Sequence, residues 1–235
     1  MVTTKANDGQ TALVAGANTG LGLETARGLY ERGARVLLAV RSDARGQAAC
    51  ERLEWDAADP AINEREQRLD LLINNAGVAA SERSETEDGF ETTFGVNHLG
   101  HFLLTLLLLG KLKASAPARV VVLSSDAHKT GRMHFDDLQL TRGYSLWKAY
   151  AQSKLANVLF VRELSRRLAG TSVTVYAVHP GTARTEIGRN LSGWQRCLVW
   201  PFRPLFKTPA AGARTSLFCA LDPELAGASG HYYKR

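Results

Sequence analysis

Cysteine is scarce in this chain of 235 residues: Cys50, Cys197 and Cys219 form an odd, widely spaced set with no Cys-x-x-Cys pair. That argues against a disulfide framework and leaves structural thiols in a reducing compartment as the plain reading. No stretch reaches the ~18 consecutive apolar residues expected of a membrane-crossing helix. Met1 to Gln10 is polar and unlike a secretory leader. Repeats, low-complexity tracts and linker-like stretches are missing too. The net charge is +6, but Lys and Arg are scattered and do not form the basic stripe of a nucleic-acid binder. The excess suits a phosphorylated cofactor or an anionic membrane surface equally well.

What is present is a layered pattern. With 45% apolar residues the chain can fill one core. Short apolar runs predict buried strands at Thr11 to Ala15, Val36 to Val40, Leu69 to Ile73, Arg119 to Leu123 and Val173 to Val178. Helical spacing predicts helices at Leu21 to Glu31, Glu91 to Leu112, Leu146 to Leu168 and Thr208 to Ala220. Continuous apolar strands alternating with helices imply a parallel sheet covered on both faces. The fold class is therefore α/β, a doubly wound Rossmann-type sheet in a single domain spanning residues 1–235. In such sheets ligands bind at the carboxyl ends of the strands. The polar clusters Gly16 to Gly22, Asn74 to Gly77, Ser124-Ser125 and His179 to Gly181 all fall at such ends.

Two local patterns carry chemistry. Gly16, Gly20 and Gly22 follow the first strand and open a helix, so the backbone can approach a pyrophosphate at the helix amino end. A plain turn would explain the same glycines. Tyr150 and Lys154 stand one helical turn apart, so a phenol and an ammonium share a face. A nearby cation lowers a phenol's pKa from its usual ~10, which suits a proton donor and acceptor. An ordinary exposed helical pair is the commoner meaning of that spacing. His98 and His101, three apart on a helix, have no third ligand nearby in sequence, so no metal is expected.

Gly16-x-x-x-Gly20-x-Gly22, Asn74-Asn75-Ala76-Gly77, Asn97, Ser125 and Tyr150-x-x-x-Lys154 stand in the order and intervals of the short-chain dehydrogenase/reductase family, which the chain resembles over nearly its whole length. The stretches Val96 to Thr105, Ser153 to Phe160 and Val178 to Thr182 look like its retinol dehydrogenase branch. The resemblance implies hydride transfer between a nicotinamide and a carbonyl carbon. Tyr150 would be the proton donor or acceptor. Lys154 would tune it and hold the nicotinamide ribose. Ser125 would hydrogen-bond the substrate oxygen, and Asn97 would position Lys154 through water. Gly16, Asn18, Thr19, Gly20, Leu21 and Gly22 would cradle the phosphates. Asn75, Ala76 and Gly77 would line the adenosine-side ribose, and Pro180, Gly181 and Thr182 would flank the nicotinamide amide. Ser124 is expected to serve the strand end, and His179 is given no catalytic role. After the second strand comes Arg41, with no carboxylate before Asp43, so NADP(H) is the expected cofactor and Arg41 the partner of its 2′-phosphate. A solvated Arg41 is the bland alternative.

Trp194 to Phe206 is aromatic, apolar and dotted with Arg. It reads as a lid over an apolar aldehyde, ketone or alcohol (retinoids and lipid aldehydes fit equally), as a peripheral membrane contact, or as an ordinary packed helix. The leucine run Leu103 to Leu109 reads as core on one face and, by resemblance, as a two-fold helix interface of a homodimer on another. The resemblance places the protein on the cytoplasmic face of the endoplasmic reticulum. Without an apolar span or leader, the cytoplasm is the other expectation. Departures are also visible. The segment between Arg41 and Asn74 is shorter than the resemblance implies, no strand is recognisable within it, and Leu53 to Ala57 is a candidate remnant. Ala15 replaces the usual Thr, and the resembling enzymes continue past Arg235 with a further helix. A catalytically weak relative that binds a partner, a lipid or a membrane is thus the alternative to an active enzyme.

Overall fold

The computed structural model describes residues 9–40, 44, 48–49, 67–181 and 208–234. Expectations for Arg41, Leu53 to Ala57, Thr182 and Trp194 to Phe206 lie outside the described residues. Six parallel strands are β1 (Thr11–Ala15), β2 (Arg35–Ala39), β3 (Leu71–Asn74), β4 (Ala118–Leu123), β5 (Val173–His179) and β6 (His231–Lys234). They lie in the order β2-β1-β3-β4-β5-β6. The chain steps from β1 outward to β2, then crosses back to lay β3 on the other side of β1. The strand order therefore reverses between β1 and β3, which opens a crevice at their carboxyl ends.

Burial follows from that order. β1 and β3 are buried along their whole length. The described edge strands β2 and β6 are half-covered. Alternate residues face opposite layers. Ala12, Val14, Leu71, Ile73 and Val178 pack toward α1 (Gly20–Tyr30) and α4 (Pro209–Leu221). Leu13, Leu72, Val120, Val122 and Val175 pack toward α2 (Thr92–Ala114) and α3 (Leu146–Arg167). This two-sided wrapping is the doubly wound α/β arrangement expected from the sequence.

The helices start where their caps dictate. Buried Glu91 accepts from the Thr93 and Phe94 amides at 2.7 and 2.6 Å and so begins α2 one residue later than expected. Ser145 caps α3, accepting from the Lys148 amide at 3.2 Å. By length and composition α2 reaches those of a membrane-crossing helix, but His101, Thr105, Leu108 and Leu112 on its inner face are buried in the domain. Two features were not anticipated. Gly95–Leu99 forms a π-turn inside α2, a widened turn that often marks a functional site. Strand β6 lies beside β5, pairing Ala177 with Tyr232 and Val178 with Tyr233.

Candidate active site

Helix α3 presents Tyr150 and Lys154 on one face, and the Lys154 Nζ lies 5.5 Å from the Tyr150 ring centroid. Lys154 is buried beneath the sheet's rim and donates to the Leu123 carbonyl at the end of β4, 3.2 Å away. Ser124 Oγ donates to the Lys154 carbonyl at 2.8 Å and so ties this strand end to α3. That matches the structural role expected of Ser124. Ser125, the next residue, caps the 3-10 turn Asp126–Thr130. Its hydroxyl also lies beside the Tyr150 phenol.

The electrostatics differ from the sequence reading. Burial raises the Tyr150 pKa above its usual value, and the Ser125 hydrogen bond opposes it in part. Burial also lowers Lys154, to about 8. The expectation that Lys154 would make Tyr150 unusually acidic is therefore corrected. Removing the phenol from water is the largest cause of the shift, and Lys154 is not among its causes.

Asn97 lies within the π-turn and is fully buried. Its Oδ1 accepts from the Val78 amide at 2.7 Å, and its Nδ2 donates to the Val78 carbonyl and to Ser153 Oγ at 2.9 and 3.0 Å. Ser153 Oγ in turn donates to the Tyr150 carbonyl at 2.7 Å. The side chain thus clamps the loop after Gly77 to α3, with both amide atoms engaged. Asn157 Nδ2 donates to the Asn97 and Leu123 carbonyls at 2.9 and 3.0 Å, which fixes the same corner.

The glycine loop lies across the crevice. Gly16 has φ +70°, and a Cβ there would come 2.7 Å from Ala76 Cα. A Cβ on Gly22 would come 2.3 Å from the Gly16 carbonyl and 2.4 Å from Asn75 Nδ2. Thr19 precedes α1 without a side-chain cap, so the first amides of that helix stay available to an anion. A cavity of about 710 Å³ joins the two sides, lined by Gly16, Asn18, Thr19, Gly20, Leu21, Asn75, Ala76, Gly77, Tyr150, Lys154 and Pro180. The backbone close approach and the uncapped helix end fit a dinucleotide. Gly22 and Asn97 stand behind this surface as packing residues. Gly181, with φ +79°, ends the described stretch after β5.

Sequence reasoning missed the apolar wall that α2 gives the cavity, including Val96, Leu99, Leu103 and Leu104. It also missed Asp126. The carboxylate takes Lys234 of β6 as a partner, accepts from Tyr232 Oη at 3.0 Å, and has Lys129 Nζ at 3.1 Å and His179 Nε2 at 3.8 Å. Only residues brought together by β6 reveal that cluster. The two histidines of α2 differ in their surroundings: His98 Nδ1 pairs with Asn157 Oδ1 at 3.0 Å, while His101 lines the cavity. Among the described residues no group of three His, Cys, Asp or Glu side chains converges as metal ligands.

Comparison with known proteins gives a consistent picture. A family profile described as short chain dehydrogenase matches residues 10–196. The chain is 49% identical to retinol dehydrogenase 12 of Mus musculus, over 96% of this chain and 77% of that protein. It is 46% identical to retinol dehydrogenase 11 of Homo sapiens, with the same coverage. Among solved structures, an uncharacterised protein from Mycobacterium paratuberculosis superimposes with a TM-score of 0.76 at 37% identity, covering 96% of this chain and 80% of that one.

Proposed function

Because the chain belongs to the short-chain dehydrogenase family, in its retinol dehydrogenase branch, we propose that it is an NADP-dependent oxidoreductase interconverting apolar aldehydes or ketones with the corresponding alcohols. Oxidoreductase chemistry with a nicotinamide dinucleotide follows from the family. The relatives' names point to retinoids as the substrate class, and lipid aldehydes share the same chemistry. The apolar wall of α2 supports a greasy substrate. NADP is favoured because β2 ends at Ala39 and is followed by Val40, both at the cavity, with Arg41 next and no carboxylate before Asp43.

One observation carries this reading: Tyr150, Lys154 and the glycine loop face a single cavity. When bound, the cofactor supplies or accepts the hydride. Tyr150, protonated at neutral pH, donates its phenolic proton to the carbonyl oxygen as negative charge grows there. Ser125 gives a second hydrogen bond to that oxygen. Lys154, with its pKa of about 8, remains mostly charged at neutral pH. It orients the ribose and favours the phenolate that Tyr150 leaves behind.

The remaining parts of the reading concern assembly and location. Phe102, Leu106 and Leu107 on the outer face of α2 are exposed, as is Leu159 on α3, which supports pairing with a second copy. The composition of Trp194 to Phe206 supports contact with a membrane surface, in keeping with a place at the endoplasmic reticulum. The test is NADPH fluorescence on mixing, followed by absorbance loss with retinal. Enhancement followed by turnover supports the enzyme. Cofactor binding with no turnover of any apolar carbonyl favours a catalytically weak binding protein, and no cofactor signal rejects the dinucleotide site.

A further inference from the structure

Ser125 stands where the chain leaves β4 in an extended conformation, φ −161° and ψ 158°, and turns at once into the 3-10 turn Asp126–Thr130. A hydroxyl at such a corner is aimed only as well as its backbone is held. Two donors converge on the Ser125 carbonyl. One is the His128 amide at 3.1 Å, the ordinary bond of the turn. The other is the His128 ring, whose Nδ1 lies 2.7 Å from the same oxygen. A carbonyl only accepts, so Nδ1 carries the hydrogen. Both lone pairs of the oxygen are thereby used, and the Ser125 peptide plane is fixed from two directions. The Ala127 amide donates to Ser125 Oγ at 3.3 Å. It takes one acceptor site of the hydroxyl and leaves the hydroxyl hydrogen to point at Tyr150.

The His128 ring is itself held. It packs on Tyr232 of β6, with ring centroids 4.6 Å apart and planes tilted by 60°. The Tyr232 Oη donates to Asp126 Oδ1 at 3.0 Å. One tyrosine thus grips the turn at both ends, through the residue directly after Ser125 and through the residue that clamps its carbonyl. Tyr232 is anchored in turn by its pairing with Ala177 of β5 and by packing against the core beneath α2 and α3. The Asp126 ion pair with Lys234 fastens the same strand two residues further on.

We infer that His128 and Tyr232 are positioning residues for Ser125, by which the last strand of the sheet aims the serine hydroxyl at the reacting oxygen. The inference rests on the oxidoreductase reading for the role of Ser125, but the contacts it invokes do not. A misplacement of about 1 Å in such a donor is enough to cost catalysis heavily, and a serine rotor at a sharp corner has little else to prevent it. The role of β6 is then more than closing the sheet edge.

The direct test needs neither cofactor nor substrate. The Ser125 hydroxyl hydrogen-bonds the Tyr150 phenol, so the Tyr150 Cζ resonance in protein labelled with 13Cζ-tyrosine, assigned with Tyr150→Phe, reads whether that bond is made. Ser125→Ala gives the shift for its loss. His128→Leu is expected to move the resonance in the same direction, whereas His128→Asn, whose amide can donate from the place of Nδ1, restores it. Tyr232→Leu removes the stacking partner and the hydroxyl together; it is expected to act like His128→Leu and serves if that variant does not fold. A Tyr150 resonance unmoved in the folded variants overturns the inference.

Turnover gives the second readout. His128→Leu should lower kcat about tenfold, part of the ~100-fold that losing a donor to developing charge costs, with NADPH affinity unchanged. In a Ser125→Ala background the same substitution should cost no more than about twofold, because residues acting through one group are not additive. A full tenfold loss in that background would mean that His128 acts by some route other than Ser125, and would overturn the inference. A wild-type protein that turns over no apolar carbonyl would sink the oxidoreductase reading alone, since the resonance test stands without it.

Discussion

Asn75 reaches across the crevice between β1 and β3 and donates its Nδ2 hydrogens to the Ala15 and Gly16 carbonyls, at 3.3 and 3.2 Å. Two loops distant in sequence are thereby fixed as one wall of the cavity. Gly22 packs against the same pair, with no room for a methyl group. Gly22→Ala should therefore displace backbone rather than a flexible side-chain end. The expected result is NADPH affinity lower by about tenfold or more, a loss of ~1.4 kcal/mol, together with a lower Tm. Fluorescence titration and thermal melts check both.

Arg41→Ala separates the two nicotinamide cofactors. If Arg41 holds the 2′-phosphate, NADPH affinity falls by about 10- to 100-fold, in line with a charge-assisted hydrogen bond of ~1.5–3 kcal/mol. NADH affinity stays nearly unchanged. Parallel titrations with both cofactors decide it, and equal losses would remove Arg41 from the site.

Lys154 is held at about pKa 8 by burial. Its charge is present at neutral pH and disappears as pH rises through that value, so cofactor affinity should decline on the alkaline side between about pH 7 and 9. Lys154→Met should abolish this limb. A pH series of NADPH binding constants, taken at fixed ionic strength, reads the effect without any substrate.

Asp126 ties β6 to the strand end that carries Ser125. Its Lys234 partner, with Lys129, Tyr232 and His179, holds the carboxyl below the usual aspartate value against the opposing cost of burial. A depressed carboxylate contributes stability while the pH lies above its unfolded value near 3.8, and that contribution is lost as acid protonates the folded state. Asp126→Asn should therefore lower Tm by a few degrees at pH 7, a modest figure because the group is partly exposed. The gap to wild type should narrow below about pH 3.8. Melts across that range check the sign.

Much of this architecture can be read from the chain. The strands β1, β3, β4 and β5 are continuous apolar runs because helices cover both faces of the sheet, and their polar ends coincide with the cavity. The residues that had to meet at one corner, Gly16, Asn75, Tyr150 and Lys154, do meet there. Strand β6 was not legible, since His231 to Lys234 is a half-exposed edge strand with no apolar run to announce it. The Asp126 cluster depends on that strand and was hidden with it. The π-turn was also hidden, because its residues continue the helical pattern on both sides. The sign of the Tyr150 shift could not be read from spacing. Lys154 sits where the spacing predicts, but the depth of burial that raises the phenol is a property of the assembled cavity.

The central claim is that Tyr150 delivers the proton during carbonyl reduction while the cofactor site stands independently of it. Single-turnover NADPH oxidation with retinal, compared between wild type and Tyr150→Phe after each has been titrated with NADPH, tests this most directly. The account predicts nearly equal cofactor affinity and a loss of turnover in the variant of at least about 100-fold, the lower end of a general acid's usual contribution. Comparable turnover in the two proteins would contradict it.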